Sequence, residues 1–398
     1  MKILLTVSLL LVSILAFSQG PKDGIWVGEF EYSHAQPPFT FEISTQGERP
    51  PVVTLINGVD RQILNKNVVE GDSIFISLTP FDAVLRAKFT ETEMTGVWRK
   101  NYRKGDVPFS AKVDGIRFKT SGGQFLSVKP KWAIEFKPGT ADRYAAVGLF
   151  EQTENRITGT VLTEVGDFRF FEGSVDGDSI KMSSFDGVHA FMMLGVNSDS
   201  GWKGVFYFDK NYSEEWMAVA DDGASIQDPF EILSVDPYKH KPYFDLLAAG
   251  SGKNAIDVST FEGKVVIIQA FGTWCPNSYD QTKFLVDWYK TKSDNVDVIA
   301  STYEPNYSKE YGLRRIADYT SDLAIPYDVY LGGQLSKSQA AFSFPFIDKI
   351  NAFPTLIILD KQGFARYVHS YFNGPATGEY FEAFKVRLEE IIEELVAE

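Results

Sequence analysis

The segment Val69-Glu70-Gly71-Asp72-Ser73-Ile74 returns as Val175-Asp176-Gly177-Asp178-Ser179-Ile180, 106 positions later. At the same offset Trp26 falls on Trp132, Glu29 on Glu135, Phe30 on Phe136 and Thr54 on Thr160. Gly96-Val97-Trp98 meets Gly204-Val205-Phe206 with a shift of two. Matches spread along a whole unit at near-constant offset mark a duplication, so this part of the chain folds as two copies of one design. Both copies read as β. Short alternating runs such as IWVGEFEY, FTFEIS and DSIFISL fill Gly24 to about Lys112, and WAIEF, RITGTVLT and GWKGVFYF fill about Lys131 to Ala220. Asn57-Gly58 and Gly71-Asp72 mark hairpins, and the first copy is expected to hold seven or eight strands.

Each copy has the length of a small up-and-down barrel or sandwich, with the tryptophan of its first strand plugging one end. A barrel can enclose a ligand, or the pair can be packed modules that position or shield the next domain. No convergent polar set marks a pocket, which favours the packed reading. The expected units are β module 1 over 20–118, β module 2 over 119–225, a proline-bearing linker over 226–241 and a third unit over 242–398. The sequence does not decide whether the modules are separate barrels or one fused structure.

At the N-terminus Lys2 precedes the apolar run Ile3–Phe17, and Ala16-Phe17-Ser18 carries small residues where a signal peptidase reads. Residues 1–19 are therefore expected to be a signal peptide cleaved near Ser18/Gln19. No cysteine follows the run to take a lipid, so no stable membrane anchor is expected after cleavage, and the protein is expected to be periplasmic or secreted. The 398-residue chain carries a formal net charge of −14, which repels phosphate backbones and argues against nucleic-acid partners. The four histidines are scattered, so neither a metal site nor another cofactor is expected.

The third unit alternates β and α. Val265–Phe271 has the length and branching of a buried strand, Gly272-Thr273 breaks it, and Pro276 opens a helix. At the junction stands Cys275, the only cysteine in the chain. A lone cysteine in an exported protein is either an inert buried thiol or a reactive one. A helix N-terminus offers unpaired N–H groups and a positive dipole end, so the sequence predicts a thiolate with a lowered pKa.

Gly272-Thr273-Trp274-Cys275-Pro276-Asn277 resembles the active-site entry of the TlpA/ResA-like branch of thioredoxin-fold disulfide reductases. Ala352-Phe353-Pro354-Thr355 resembles that fold's cis-proline segment, and Gly374–Glu379 resembles exported members with β-rich N-terminal regions. The resemblance covers roughly 242–398. It implies a thioredoxin fold after the all-β modules, a nucleophilic Cys275 supported by Trp274, Pro276 and Pro354, and an extended substrate peptide held at Phe353 and Thr355. It departs at Ser278, where the family has its second cysteine.

A serine hydroxyl cannot resolve a mixed disulfide, although it can donate a hydrogen bond to the Cys275 thiolate. The expected function is thus a monothiol thiol-disulfide oxidoreductase or isomerase acting on protein disulfides or thiols, with an external thiol reductant as resolver. The competing function is a redox-inactive client-binding protein on the same fold. A lesser alternative is a peroxiredoxin-like peroxidase, which needs a threonine where Gly272 stands. Glu304, at the end of the strand Val296–Tyr303, is expected either near Cys275 as proton acceptor or as a solvated loop carboxylate. His369 is expected to be a packed or surface residue.

Overall fold

The computed structural model describes residues 20–45, 50–235, 247–248 and 261–398, apart from 293, 307, 345 and 348. The expected leader and the expected linker from 236 to 241 lie outside the described residues. The first β module contains Gly24–Phe30 (β1), Pro38–Ser44 (β2), Val52–Asn57 (β3), Asp60–Leu64 (β4), Val68–Glu70 (β5), Ser73–Ser77 (β6), Ala83–Phe89 (β7), Glu93–Lys100 (β8) and Val107–Val113 (β9). The second contains Lys131–Phe136 (β10), Tyr144–Thr153 (β11), Arg156–Thr163 (β12), Gly166–Asp167 (β13), Phe171–Asp176 (β14), Ser179–Phe185 (β15), Ala190–Ser198 (β16), Gly201–Asp209 (β17) and Tyr212–Ala220 (β18). Nine strands thus match nine in order. The two that the sequence did not suggest in the first copy are the three-residue β5 and β9. Gly71 and Gly177, mates in the repeat, both take left-handed φ, 60° and 61°, in the same hairpin turn.

The copies close differently. In the second, β12 pairs with β11 on one side and with β14 on the other, Arg156↔Ser174 to Gly159↔Phe171, and β18 pairs with β10. Those ladders complete a ring of eight strands, with β13 beside it. In the first, the residues equivalent to Arg156 and Ile157 are Pro50 and Pro51. Proline has no N–H to give a ladder, and the sheet runs β4-β3-β2-β1-β9-β8-β7-β6-β5, open between β4 and β5. Buried Asn67 bridges the gap: its Nδ2 donates to Pro51 O (2.9 Å) and Leu64 O (2.7 Å), and its Oδ1 accepts from Ser77 N (3.1 Å).

The open sheet completes its core with the other copy. Phe185 of β15 sits 4.8 Å from Phe30, 5.1 Å from Phe39 and 5.3 Å from Trp98, ring centre to ring centre. The Arg117 guanidinium, between the modules, donates to Ile56 O (3.1 Å) and Ser183 O (2.9 Å). The two modules are therefore one fused body. Inside the closed ring Trp132 stacks on Trp202 and Trp216 at 5.5 and 6.4 Å, so the interior is filled with aromatic side chains.

The C-terminal part is built on Val265–Phe271 (β20), buried at every position. Val296–Glu304 (β21) and Asp328–Gln334 (β22) run parallel to it in succession. Thr355–Leu359 (β23) pairs antiparallel on its other side, followed by Ala365–His369 (β24). Leu247–Ala248 (β19) pairs antiparallel with β22 at the far edge. Helices Pro276–Tyr289 (α1), Lys309–Leu323 (α2) and Glu379–Ala397 (α4) pack on the side of Val265 and Ile267. The short helix Lys337–Ser343 (α3) with Phe344, Phe346, Ile347 and Ile350 covers the side of Val266 and Ile268. This order of parallel strands, terminal hairpin and covering helices is the thioredoxin fold. Among the described residues no helix is long and apolar enough to cross a membrane.

Candidate active site

β20 ends where its buried run meets Gly272, and the chain turns into α1 through Cys275, whose extended φ of −100° and ψ of 120° make it the N-cap. Pro276 occupies the first helical position, where a missing N–H costs nothing. No side chain caps the helix, which leaves the N–H groups of Asn277 and Ser278 directed at the Cys275 sulfur, together with the Ser278 hydroxyl. On the opposite side the thiol donates to Phe353 O at 3.5 Å. The Phe353-Pro354 peptide is cis. Trp274 is half-buried; its Nε1 donates to Tyr303 O (2.9 Å) and its ring meets Phe353 edge-on at 6.4 Å.

The sequence predicts a lowered thiol pKa, and the structure reverses the sign. Burial pushes the Cys275 thiol up; the Ser278 hydroxyl and the N–H groups of Ser278 and Asn277 oppose it without winning, and Asp186 adds to the rise. Only 7% of Cys275 is exposed. The helix end is as expected, but burial away from water outweighs it.

Glu304 also differs from expectation. It is the last residue of β21 and fully buried, not a solvated loop group. Its Oε1 accepts from Thr273 N (3.1 Å) and from the Thr302 hydroxyl, and its Oε2 accepts from Thr273 Oγ1 (2.8 Å). Burial pushes its carboxyl up, while these donors and Arg315 pull it back. Among the described residues it makes no hydrogen bond to Cys275. It holds the Gly272–Trp274 turn through Thr273. Thr355 is likewise committed internally, its hydroxyl donating to Ala352 O (2.8 Å) and Ser370 O (3.3 Å), so its side chain is not presented to a substrate. Phe353 is buried and stacks on Tyr303 at 5.4 Å. His369 is packed between Phe230 and Phe384, and burial drives its pKa down to about 3.

Sequence reasoning missed the groups that cover the site. From the second module, Arg169 forms a buried two-point ion pair with Asp280 of α1, at 2.7 and 2.9 Å. Asp167 O and Oδ1 accept from Asn277 Nδ2 at 3.0 and 2.9 Å, and Oδ1 also accepts from Gly374 N at 3.0 Å. Asp60 of the first module stands 3.9 Å from Arg169. The first module adds Pro80, whose carbonyl accepts from the Arg315 guanidinium, and Phe81, whose ring meets Tyr279 edge-on at 5.7 Å. Tyr311 donates to Asp82 Oδ2 at 2.9 Å. Asn277 and Asp280 lie in the first turns after Cys275, so the modules grip the helix that carries the thiol. One signal for the second-module pair was present: at the repeat offset Asp167 and Arg169 have Arg61 and Ile63 as mates. The copies diverge where one of them touches the site.

No protein-family model matches the chain, and no curated protein matches it. Solved structures similar to it include a thiol:disulfide interchange protein of the thioredoxin family from Chlorobium tepidum TLS, at 20% identity. That match covers 41% of this chain and 97% of the other, with a TM-score of 0.31. A secreted thiol-disulfide isomerase from Corynebacterium glutamicum is 18% identical over 45% of this chain and 96% of its own, with a TM-score of 0.32. Another thiol-disulfide isomerase from that organism is 14% identical over 40% and 97%, with a TM-score of 0.31.

Proposed function

We propose that the protein is an exported thiol-disulfide oxidoreductase that uses Cys275 as its single nucleophile. The observation that carries this reading is the place of the sulfur, between the N-terminus of α1 and the Phe353 carbonyl ahead of cis Pro354. The Cys275 thiolate attacks a protein disulfide, forming a mixed disulfide and releasing one substrate thiolate. An external thiol then attacks the Cys275 sulfur, which frees the substrate's second thiolate and leaves Cys275 joined to that thiol. A second external thiol regenerates Cys275 and departs as a small disulfide. Ser278 takes no part in the exchange; its hydroxyl supports the thiolate. In this reading substrate reaches the buried thiol when the Arg169–Asp280 and Asp167–Asn277 contacts, which hold the second module against α1, part.

A redox-inactive client-binding role is the second reading, and the buried thiol with its raised pKa favours it. A peroxidase role is weaker, because the Thr273 hydroxyl is turned to Glu304 and Arg315 rather than to the sulfur. Insulin reduction and refolding of scrambled ribonuclease in a glutathione buffer separate the first two readings. Turnover by the mature chain that vanishes in Cys275→Ser supports the oxidoreductase. Absence of turnover, also in a variant with the covering contacts removed, supports the client-binding role.

A further inference from the structure

A cleft lies on the seam between the β modules. The loop after β8 and the turn between β17 and β18 form its sides, and it encloses about 230 Å³. Trp98, Tyr32 and Phe208 supply its apolar wall. Four cations, Lys100, Arg103, Lys104 and Lys210, converge on it against two carboxylates, Asp106 and Asp209. Both carboxylates are already engaged: Asp106 with Arg99 at 2.8 Å and Asp209 with Arg103 at 2.7 Å. Lys210 Nζ donates to a backbone carbonyl, Asp106 O, at 3.3 Å. Among the described residues Lys100, Lys104 and Lys210 form no ion pair, although the chain as a whole is strongly acidic.

Lys100 decides against an ordinary solvated basic face. It is half-buried, with Nζ 4.6 Å above the Trp98 ring. Burial and then Arg103 bring its pKa down to about 8, against the weaker pull of Asp209 and Asp186. A desolvated ammonium without a counter-ion carries a free-energy cost that an anion removes. The volume lies below the usual range for drug-sized ligands, which limits the occupant to a small head group with at most a compact apolar body.

We propose that this cleft binds a compact oxyanion, a carboxylate or phosphate group, with its apolar part against Trp98 and Phe208. Lys100 and Lys104 meet the charge, and Lys210 closes the site from the second module. The test is isothermal titration of the mature full chain, at low ionic strength and pH 7, with inorganic phosphate and separately with benzoate. Saturable binding by either probe is expected, and the tighter one identifies the head group. Lys100→Met is expected to weaken it on the order of tenfold or more, and Lys104→Gln about threefold. Lys181→Gln, on the far β15 strand, is expected to leave it unchanged. A readout independent of any variant's folding is NMR of reductively methylated wild-type lysines. The resonance titrating near Lys100's lowered value should move up by about one unit with the saturating probe. Failure of both probes to saturate, unchanged affinity in a folded Lys100→Met chain, or an unmoved Lys100 titration would each overturn the proposal.

Discussion

The two β modules share a strand order and differ at the places where they have been put to use. The second closes its own ring and turns β13 and the residues after it, through Arg169, onto the thioredoxin-fold part. The first stays open at Pro50-Pro51, takes Phe185 from its neighbour into its core, and leaves Ile63 in solvent where the second has Arg169. A duplicated unit thus needs only one self-sufficient copy. The other can give up closure because burial between the copies replaces it. The same divergence explains why the hold on α1 is one-sided: the ion pair with Asp280 exists in one copy alone.

Breaking that ion pair should have the largest effect. Arg169→Ala strands Asp280, 7% exposed, without its partner, and should cost about 3–5 kcal/mol by thermal or denaturant unfolding. Arg169→Ala with Asp280→Ala should cost less than Arg169→Ala alone, since the buried Asp280 carboxylate is no longer left without its partner. A double variant at least as destabilised as the single would contradict the clamp.

Asn67 is the test on the open side. It satisfies three backbone groups that a closed ladder would otherwise serve, and Asn67→Ala should cost about 1–3 kcal/mol. Its repeat mate Gly173 pairs within the closed ring, and the first module should be the part that loses amide protection. Loss spread equally over both modules would show that closure does not differ as described.

Asp167 provides a pH signature of similar or smaller size. Burial, helped by Asp280, pushes its carboxyl up to about 6 against the Gly374 N–H and Arg169. An unfolded aspartate titrates near about 3.9. Between those values the folded chain binds the extra proton, so this contribution is fully present at low pH and is lost as pH rises through about 6. The stability difference between wild type and Asp167→Asn should shift by on the order of 1–3 kcal/mol between pH 4 and pH 7. A constant difference would place Asp167 outside the buried contact. Ile63→Arg, which copies the charge of Arg169 into the first module, should stay within about 0.5 kcal/mol of wild type and leave Cys275 reactivity unchanged.

Much of this was legible in the sequence, for a physical reason. The buried strand Val265–Phe271, Pro276 opening α1 and the terminal hairpin are local patterns that periodicity and backbone chemistry dictate. The repeat was legible because both copies keep the same turns and core aromatics. The environment of Cys275 was not. Its helix end is local, but its burial is tertiary, with Asp186 of the second module near enough to act on it. A one-dimensional reading weighs the dipole and not the desolvation. The burial of Glu304 was hidden for the same reason: its partners Thr273 and Arg315 come from other elements. Ring closure turned on two prolines whose meaning appears only beside their repeat mates.

The central claim is that Cys275 is a competent nucleophile held shut by the second module. The most direct measurement is the rate of Cys275 alkylation by iodoacetamide against pH, in the mature wild type and in the Arg169→Ala/Asp280→Ala chain. Wild type should react slowly, with an inflection above the value of about 8.5 for a free cysteine. The double variant should react at least about tenfold faster at pH 7, with its inflection moved down, as expected for a thiolate returned to water at a helix N-terminus. Equal rates and equal inflections in the two folded proteins would contradict the account.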